Sequence, residues 1–304
     1  MKKLVLVVFA ALFFSTRLYS QTDTSSYFPL GFWGLWVDKT APPFSRALSP
    51  AEWDKEYNNW RATNGNYLVY WIPNSVESNV MSFADQNNYR MDIANYDYVA
   101  HYADSPNSLI GWLWRENYSD TASAITYINS LKTQYASHTG FYSYSFGQET
   151  PVSDQRYWPG VEFLARKIHE LDPARKSYMV SPGAPPQGFV DATPDLDILQ
   201  VDAYFFDPSY GQNYNDQQTV LDTYVSHFNA TMDRLRDKHT EWHAVIQTQR
   251  EYLNSQSGEI HRRPNIYEIK VQAYLALSRG AKGITPISMG QAPFHLLGIL
   301  LPNC

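Results

Sequence analysis

Two stretches, YRMDIA at Tyr89–Ala94 and LIGWLW at Leu109–Trp114, compete for one place in a repeating pattern. Along the chain, short apolar runs rich in β-branched and aromatic residues alternate with helix-like stretches. Such alternation predicts βα units around a parallel sheet. The runs are Phe32–Trp36, Tyr67–Ile72, Leu109–Trp114, Phe141–Phe146, Ser177–Val180, Ile198–Tyr204, Ala244–Gln249 and Lys282–Ile287. With LIGWLW as the third there are eight, which predicts an α/β chain folded as a (β/α)8 barrel. YRMDIA is then a ninth candidate. Either it belongs to a helical segment, or it is the third strand, in which case LIGWLW becomes the fourth and a later run leaves the barrel. The eight-run reading with LIGWLW is preferred.

The helical stretches carry their own punctuation. Ser49-Pro50-Ala51-Glu52 opens one with an N-cap, a first-turn proline and an acidic residue. VEFLARKIHEL (Val161–Leu171) has an apolar face at helical spacing and stops at Asp172-Pro173. A third, Ile266–Arg279, is ended by Gly280.

The first twenty residues have the layout of a secretory leader. Lys2 and Lys3 precede the apolar run Leu4–Phe14, which is too short to span a bilayer, and a cut after Ser20 exposes Gln21. The expected product is a secreted or periplasmic domain, residues 21–304, of about 284 residues, within the range of one α/β barrel. No later segment is long and apolar enough to cross a membrane. Cys304 is the only cysteine, so neither a disulfide framework nor a thiolate metal site is expected. The net charge of −6 comes without a basic stripe, which argues against nucleic acid as a partner. After Ile287 the chain reads SMGQAPFHLLGILLPNC, with no amphipathic helix. The expectation is a reading frame cut or shifted after about Gly290, leaving the eighth helix missing.

Strand alternation sorts which residues face the barrel's mouth. In FYSYSFGQET, the bulky Tyr142, Tyr144 and Phe146 are expected to face helices, and Ser143, Ser145, Gly147 and Glu149 to face inward. In ILQVDAYF, Leu199, Val201, Ala203 and Phe205 form the helix-facing set, and Gln200, Asp202 and Tyr204 point inward. In AVIQTQRE, Val245, Gln247, Gln249 and Glu251 share a parity that turns polar toward its end. In LIGWLWRE, Glu116 shares parity with Ile110, Trp112 and Trp114, so its direction depends on whether those rings pack on helices or line a site.

Carboxylates, amides and aromatic rings at a barrel mouth suit glycoside hydrolysis. One carboxylic acid protonates the leaving oxygen, and a second carboxylate attacks the anomeric carbon or activates water. Aromatic rings offer flat faces on which sugars stack. Trp36, Trp71 and Tyr204 lie near strand ends and are candidate platforms, although core packing is the usual role of such rings. The eight histidines show no metal-binding spacing, and the chain has no GxSxG elbow, P-loop or dinucleotide glycine fingerprint. No metal or cofactor is expected.

Three stretches carry a family resemblance. Arg262–Ile284 (RRPNIYEIKVQAYLALSRGAKGI) resembles the last helix and strand of bacterial glycoside-hydrolase-type barrels. FGQETP, followed by a helix ending in LDP, resembles the strand end reading DEP in that group. SPNSLIGWLWREN resembles HPxIIGWxLxNEP of the clan A glycosidases, in which an Asn-Glu pair ends strand four and the Glu is the acid/base. The clan A resemblance implies Glu116 as acid/base, with Arg115 standing where that motif has Asn. The DEP resemblance implies Glu149, with Gln148 in place of Asp; strand count and parity favour Glu149. Clan A also implies a nucleophilic Glu ending strand seven. Here Gln247 or Gln249 falls at that place, and an amide cannot attack. Glu251 is the next carboxylate, and Asp202 at the end of strand six is another candidate base. The alternative is a carbohydrate-binding barrel that does not hydrolyse.

Overall fold

In the computed structural model the described residues are 27–33, 50–62, 65–72, 78–95, 121–147, 152–206, 214–248, 251–252, 259–261 and 264–287. Eight parallel strands form one sheet: β1 (Gly31–Trp33), β2 (Tyr67–Ile72), β3 (Arg90–Asn95), β4 (Phe141–Gly147), β5 (Lys176–Ser181), β6 (Ile198–Val201), β7 (Glu241–Gln247) and β10 (Gly283–Ile287). Strand order follows the chain, and the sheet closes on itself. Leu30 bridges Ile284 in parallel, and the Ile284 amide donates to the Pro29 carbonyl at 2.9 Å. Between β7 and β10 a two-stranded antiparallel ribbon, β8 (Glu251–Tyr252) and β9 (Glu259–His261), leaves the barrel.

The helices alternate with the strands: α1 (Pro50–Ala62), α2 (Ser78–Asn87), α3 (Ala122–Tyr135), α4 (Trp158–Leu171), α5 (Gln187–Ala192), α6 (Tyr214–Leu235) and α7 (Ile266–Ser278). The expected (β/α)8 architecture is therefore present. The expectation of a missing eighth helix falls on residues 288–304, outside those described.

One strand assignment is corrected. YRMDIA, not LIGWLW, supplies the third strand, because β3 is bonded directly to β2 on one side and to β4 on the other. Leu109–Trp114 itself lies outside the described residues. The reason is tertiary. Asp92 looks out of place in an apolar strand, yet it is fully buried in the barrel, where Tyr67 and Ser143 both donate hydrogen bonds to its carboxyl group.

Two apolar cores flank the sheet. The larger lies between strands and helices and includes Leu68, Ile93, Phe141, Tyr144, Phe146, Leu199, Val201, Ala244 and Ile246. The smaller fills the barrel with Tyr67, Val69, Tyr178, Val180, Ile198 and Val245. Alternation is unbroken in β6, and Leu199, Val201 and Ala203 face the helices as expected. In β4 it fails. A register shift against β3 turns Tyr142 as well as Ser143 inward, so Tyr142 packs against the inner cluster rather than the helices. A second shift against β5 follows at Ser145–Gly147. Such irregularities reset the two-residue period.

Local signals place the ends of the helices. α7 starts with a capping box: Asn265 Oδ1 accepts from the amides of Tyr267 (2.9 Å) and Glu268 (3.1 Å), and Glu268 accepts from the Asn265 amide (2.7 Å). Gly280 follows that helix at φ +82°, a conformation that favours glycine. α4 carries a proline in its first turn and ends at Asp172, whose carboxylate accepts from Tyr144 at 2.7 Å.

At the N-terminal ends of the strands, Asp197 fastens three elements together. It accepts from the Ser177 amide (2.7 Å) and hydroxyl (3.0 Å), and pairs with His169 (2.7 Å) and His239 (2.8 Å). Burial alone would raise its pKa, but these donors hold it below the usual carboxylate range. A depressed folded-state pKa contributes stability that is present above the unfolded value, roughly 3.9, and is lost as pH falls through the folded value. Asp197→Asn is therefore expected to cost about 1.5–3 kcal/mol at pH 7. That cost should shrink as pH falls below the unfolded value of roughly 3.9 and through the folded one. Denaturant titrations of both proteins across pH 2.5–7 test this, and a cost independent of pH would contradict it.

Candidate functional site

The C-terminal ends of the strands form the barrel's mouth, the end at which barrel enzymes carry their sites. β4 ends at Gly147, so Gln148 and Glu149 are the next residues of the chain. β5 ends at Ser181, whose carbonyl accepts from the Asp202 amide at 2.9 Å. This bond carries the β5–β6 pairing one residue past the end of β6. Asp202 is thereby fixed at the strand's end and is 5% exposed. Tyr204 packs against the inner cluster, as alternation predicts, while Phe205 packs toward the helices.

β7 ends in Gln247, which is locked on both sides. Its amide donates to Gln272 Oε1 of α7 at 3.0 Å, and its carbonyl accepts from Gln272 Nε2 at 3.2 Å. Its own Oε1 accepts from the Phe206 amide, beyond β6, at 3.3 Å. Gln272 thus clamps the last turn of strand backbone from outside the barrel, and the Gln247 side chain ties the ends of β6 and β7 together. Gln247 lies at the mouth with a committed carbonyl oxygen.

Glu251 is not part of β7. It belongs to the antiparallel ribbon, opposite His261. Trp71 lies on β2, paired with Ala94 of β3. Glu149, Glu116, Gln249 and Trp36 lie outside the described residues. Of the expected site residues, the structure thus brings Asp202, Tyr204 and Gln247 to the ends of adjacent strands.

Below the mouth the barrel is unusually polar, and alternation turns only Ser143, Ser145 and Gln200 of this layer inward. Branched apolar residues commonly fill such interiors. Here Asp92, Ser143, Ser145, Gln200, His243 and Thr285 are buried on inward faces. Burial pushes the Asp92 carboxyl well above its ordinary value, against the opposing effects of the Ser143 hydroxyl and the Lys176 charge. Burial thus disfavours the ionised form of Asp92. Tyr178 donates to Gln200. Burial, reinforced by the charge of Lys176, pushes His243 down to about 3, so its imidazole is neutral. The charged groups lie at the floor. Arg90, Lys176 and Glu241 are the first residues of β3, β5 and β7. Lys176 pairs with Glu241 at 3.1 Å, and Arg90 lies 3.6 Å from the centre of the Tyr27 ring.

A separate cleft of about 610 Å³ lies on the barrel's flank, with Phe205, Asp222, His227 and Arg234 in its lining. Its walls come from α6, from Ala184 after β5 and from Phe205 after β6. Among the described residues no cluster of His, Cys, Asp and Glu is arranged to hold a metal ion, and no helix is long and apolar enough to cross a membrane.

Solved structures with this architecture include glycoside hydrolases. The fold this chain shares with them is the (β/α)8 barrel. A proposed alpha-L-fucosidase from Bacteroides thetaiotaomicron aligns with 90% of this chain and 94% of its own, at a TM-score of 0.61 and 9% identity. A glycoside hydrolase family 5 protein from Bacteroides vulgatus aligns over 86% of this chain and 58% of its own (TM-score 0.58, 13% identity). The beta-glucuronidase of Ruminococcus gnavus aligns over 85% of this chain (TM-score 0.59, 12% identity), which spans only 42% of that protein. No protein-family model matches the chain, and no curated protein is detectably similar to it in sequence. At these identities the likeness is one of fold.

Proposed function

We propose that the protein is an exported glycoside hydrolase acting on an oligo- or polysaccharide, with Glu149 as its catalytic acid. The observation that carries this reading is the strand count. With Arg90–Asn95 as strand three, FYSYSFG is strand four, and Gln148-Glu149 follow it directly. Strand four is where the resembled glycosidases end in their acid/base pair. The recount supports Glu149 over Glu116, because β3 and β4 are bonded directly and leave no strand position between them for Leu109–Trp114.

Asp202, Tyr204 and Gln247 are the proposed sugar contacts at the mouth, and Trp71, Gln249 and Trp36 extend that set. Asp202 offers hydrogen bonds to hydroxyls, Tyr204 a ring, and Gln247 an amide N–H₂ whose carbonyl partner is already engaged. Glu251, carried on the ribbon that follows β7, is the proposed second carboxylate.

One observation favours a second reading, a carbohydrate-binding barrel without hydrolysis. Strand seven ends in Gln247, an amide bonded to the Phe206 backbone, where the resembled enzymes have a nucleophilic Glu. Purified protein assayed on aryl glycosides and soluble polysaccharides separates the two. Release of reducing sugar supports the enzyme, and glycan binding without release supports the alternative.

Export rests on the leader-like first twenty residues. Expressed with its full N-terminus in a bacterial host, the protein is expected in the periplasm or medium, with Gln21 as its first residue by N-terminal sequencing. Retention of Met1 in the cytoplasm would refute export.

A further inference from the structure

Neighbouring strands of an eight-stranded barrel are staggered by one residue, so alternate strands share a level. Following the observed registers round the sheet, Gly31, Asp92, Tyr178 and His243 share one level, on β1, β3, β5 and β7. Val69, Ser145, Gln200 and Thr285 share the next level toward the mouth, on β2, β4, β6 and β10. The polar members of these two levels include five side-chain atoms that are fully enclosed and have no hydrogen-bond partner among the described residues. They are Ser145 Oγ, Gln200 Nε2, Thr285 Oγ1 and both ring nitrogens of His243.

Their concentration is not accidental packing. Gln200 pairs with His243 across β6 and β7, and Val245, two residues beyond His243, pairs with Thr285. Gly283 stands opposite His243, where a Cβ would come within 2.8 Å of the imidazole, so the missing side chain makes room for the ring. Val180 and Val245 are buried in the inner cluster on the mouth side. An orphaned donor or acceptor in a dry interior costs about 1–3 kcal/mol, and five together would burden a fold of ordinary stability.

We propose that the barrel axis between these levels is an internal water-binding site, in which ordered water bridges His243, Gln200, Ser145 and Thr285. The chemistry suits water. A neutral imidazole offers one donor and one acceptor, each hydroxyl offers both, and the amide offers N–H groups. A buried water takes about three such partners. No free carboxylate serves a cation here, because both oxygens of Asp92 already accept from Tyr67 and Ser143. The site lies beneath Asp202, two residues further along β6 than Gln200. It makes the barrel's midsection a hydrated polar layer rather than a hydrocarbon plug.

Thr285→Val, which keeps the side chain's volume, and Ser145→Ala test this by thermal melting, with a crystal structure of the wild-type protein at about 1.8 Å resolution. Each variant deletes a hydrogen bond to water, so each should lower Tm by about 2–4 °C. The electron density should show water within hydrogen-bonding distance of His243 and Gln200. A rise in Tm for Thr285→Val, as expected on removing a dry, orphaned hydroxyl, would overturn the proposal. So would density showing the four side chains bonded directly to one another.

Discussion

Gly31→Ala is expected to abolish folding or lower Tm by well over 10 °C. Gly31 is the first residue of β1, in register with Tyr67 of β2. A Cβ at this position would lie 1.9 Å from the Tyr67 carbonyl oxygen and 2.4 Å from its carbonyl carbon. Those are backbone atoms of a central strand and have no rotamer with which to yield. Overpacking against side chains typically costs about 1–3 kcal/mol, and a clash with backbone should exceed that range. The position is also where the barrel closes, since Leu30, one residue earlier, makes the bridge to Ile284. Gly183→Ala is the matched control. Its Cβ would meet only the edge of His227, at 3.4 Å, and it should melt close to wild type. Soluble yield and a thermal melt of the two variants give the answer. A Gly31→Ala protein that melts within about 2 °C of wild type would show that β1 and β2 are not so tightly apposed.

Seven barrel strands were readable from their apolar runs, because each run faces either the helix layer or the inner cluster. The third was misread for a physical reason. Asp92 lowers the apparent fitness of YRMDIA for a strand, and its compensation comes from Tyr67 and Ser143, which are distant in sequence. LIGWLW is apolar throughout and therefore won on local composition. Parity fared likewise. It sorted β6 correctly, from Leu199 to Tyr204, because nothing interrupts that strand. It failed at Tyr142, because register shifts are set by neighbouring strands and leave no mark in the sequence of β4. The polar ends of β6 and β7 were legible as Asp202 and Gln247. The Gln272 clamp was not, since a glutamine on an apolar helix face gives no hint that it reaches a strand's backbone. The polar midsection was partly legible, since alternation turned Ser143, Ser145 and Gln200 inward, whereas Asp92, His243 and Thr285 were not sorted to a face.

Glu149→Gln carries the largest expected effect on function. If Glu149 protonates the leaving oxygen, the amide removes the proton donor while keeping shape and polarity. General acid catalysis contributes about 10²–10⁴-fold, so hydrolysis of a natural polysaccharide should fall by that factor in kcat. The loss should depend on the leaving group. An alkoxide of a sugar needs protonation, whereas a dinitrophenolate departs without it. Glu149→Gln should therefore retain most of its glycosylation rate on a dinitrophenyl glycoside, and a residue that merely supports the fold would depress both substrates alike. The pH profile adds a second readout, since the limb that reports ionisation of the acid should vanish in the variant. Glu116→Gln is the comparison, because the strand recount removes LIGWLW from the third place in the barrel. It should keep activity within a few-fold of wild type. If instead Glu116→Gln loses hydrolysis with this leaving-group dependence and Glu149→Gln does not, the acid belongs to the LIGWLWREN segment. In that case β4 would serve only the barrel wall.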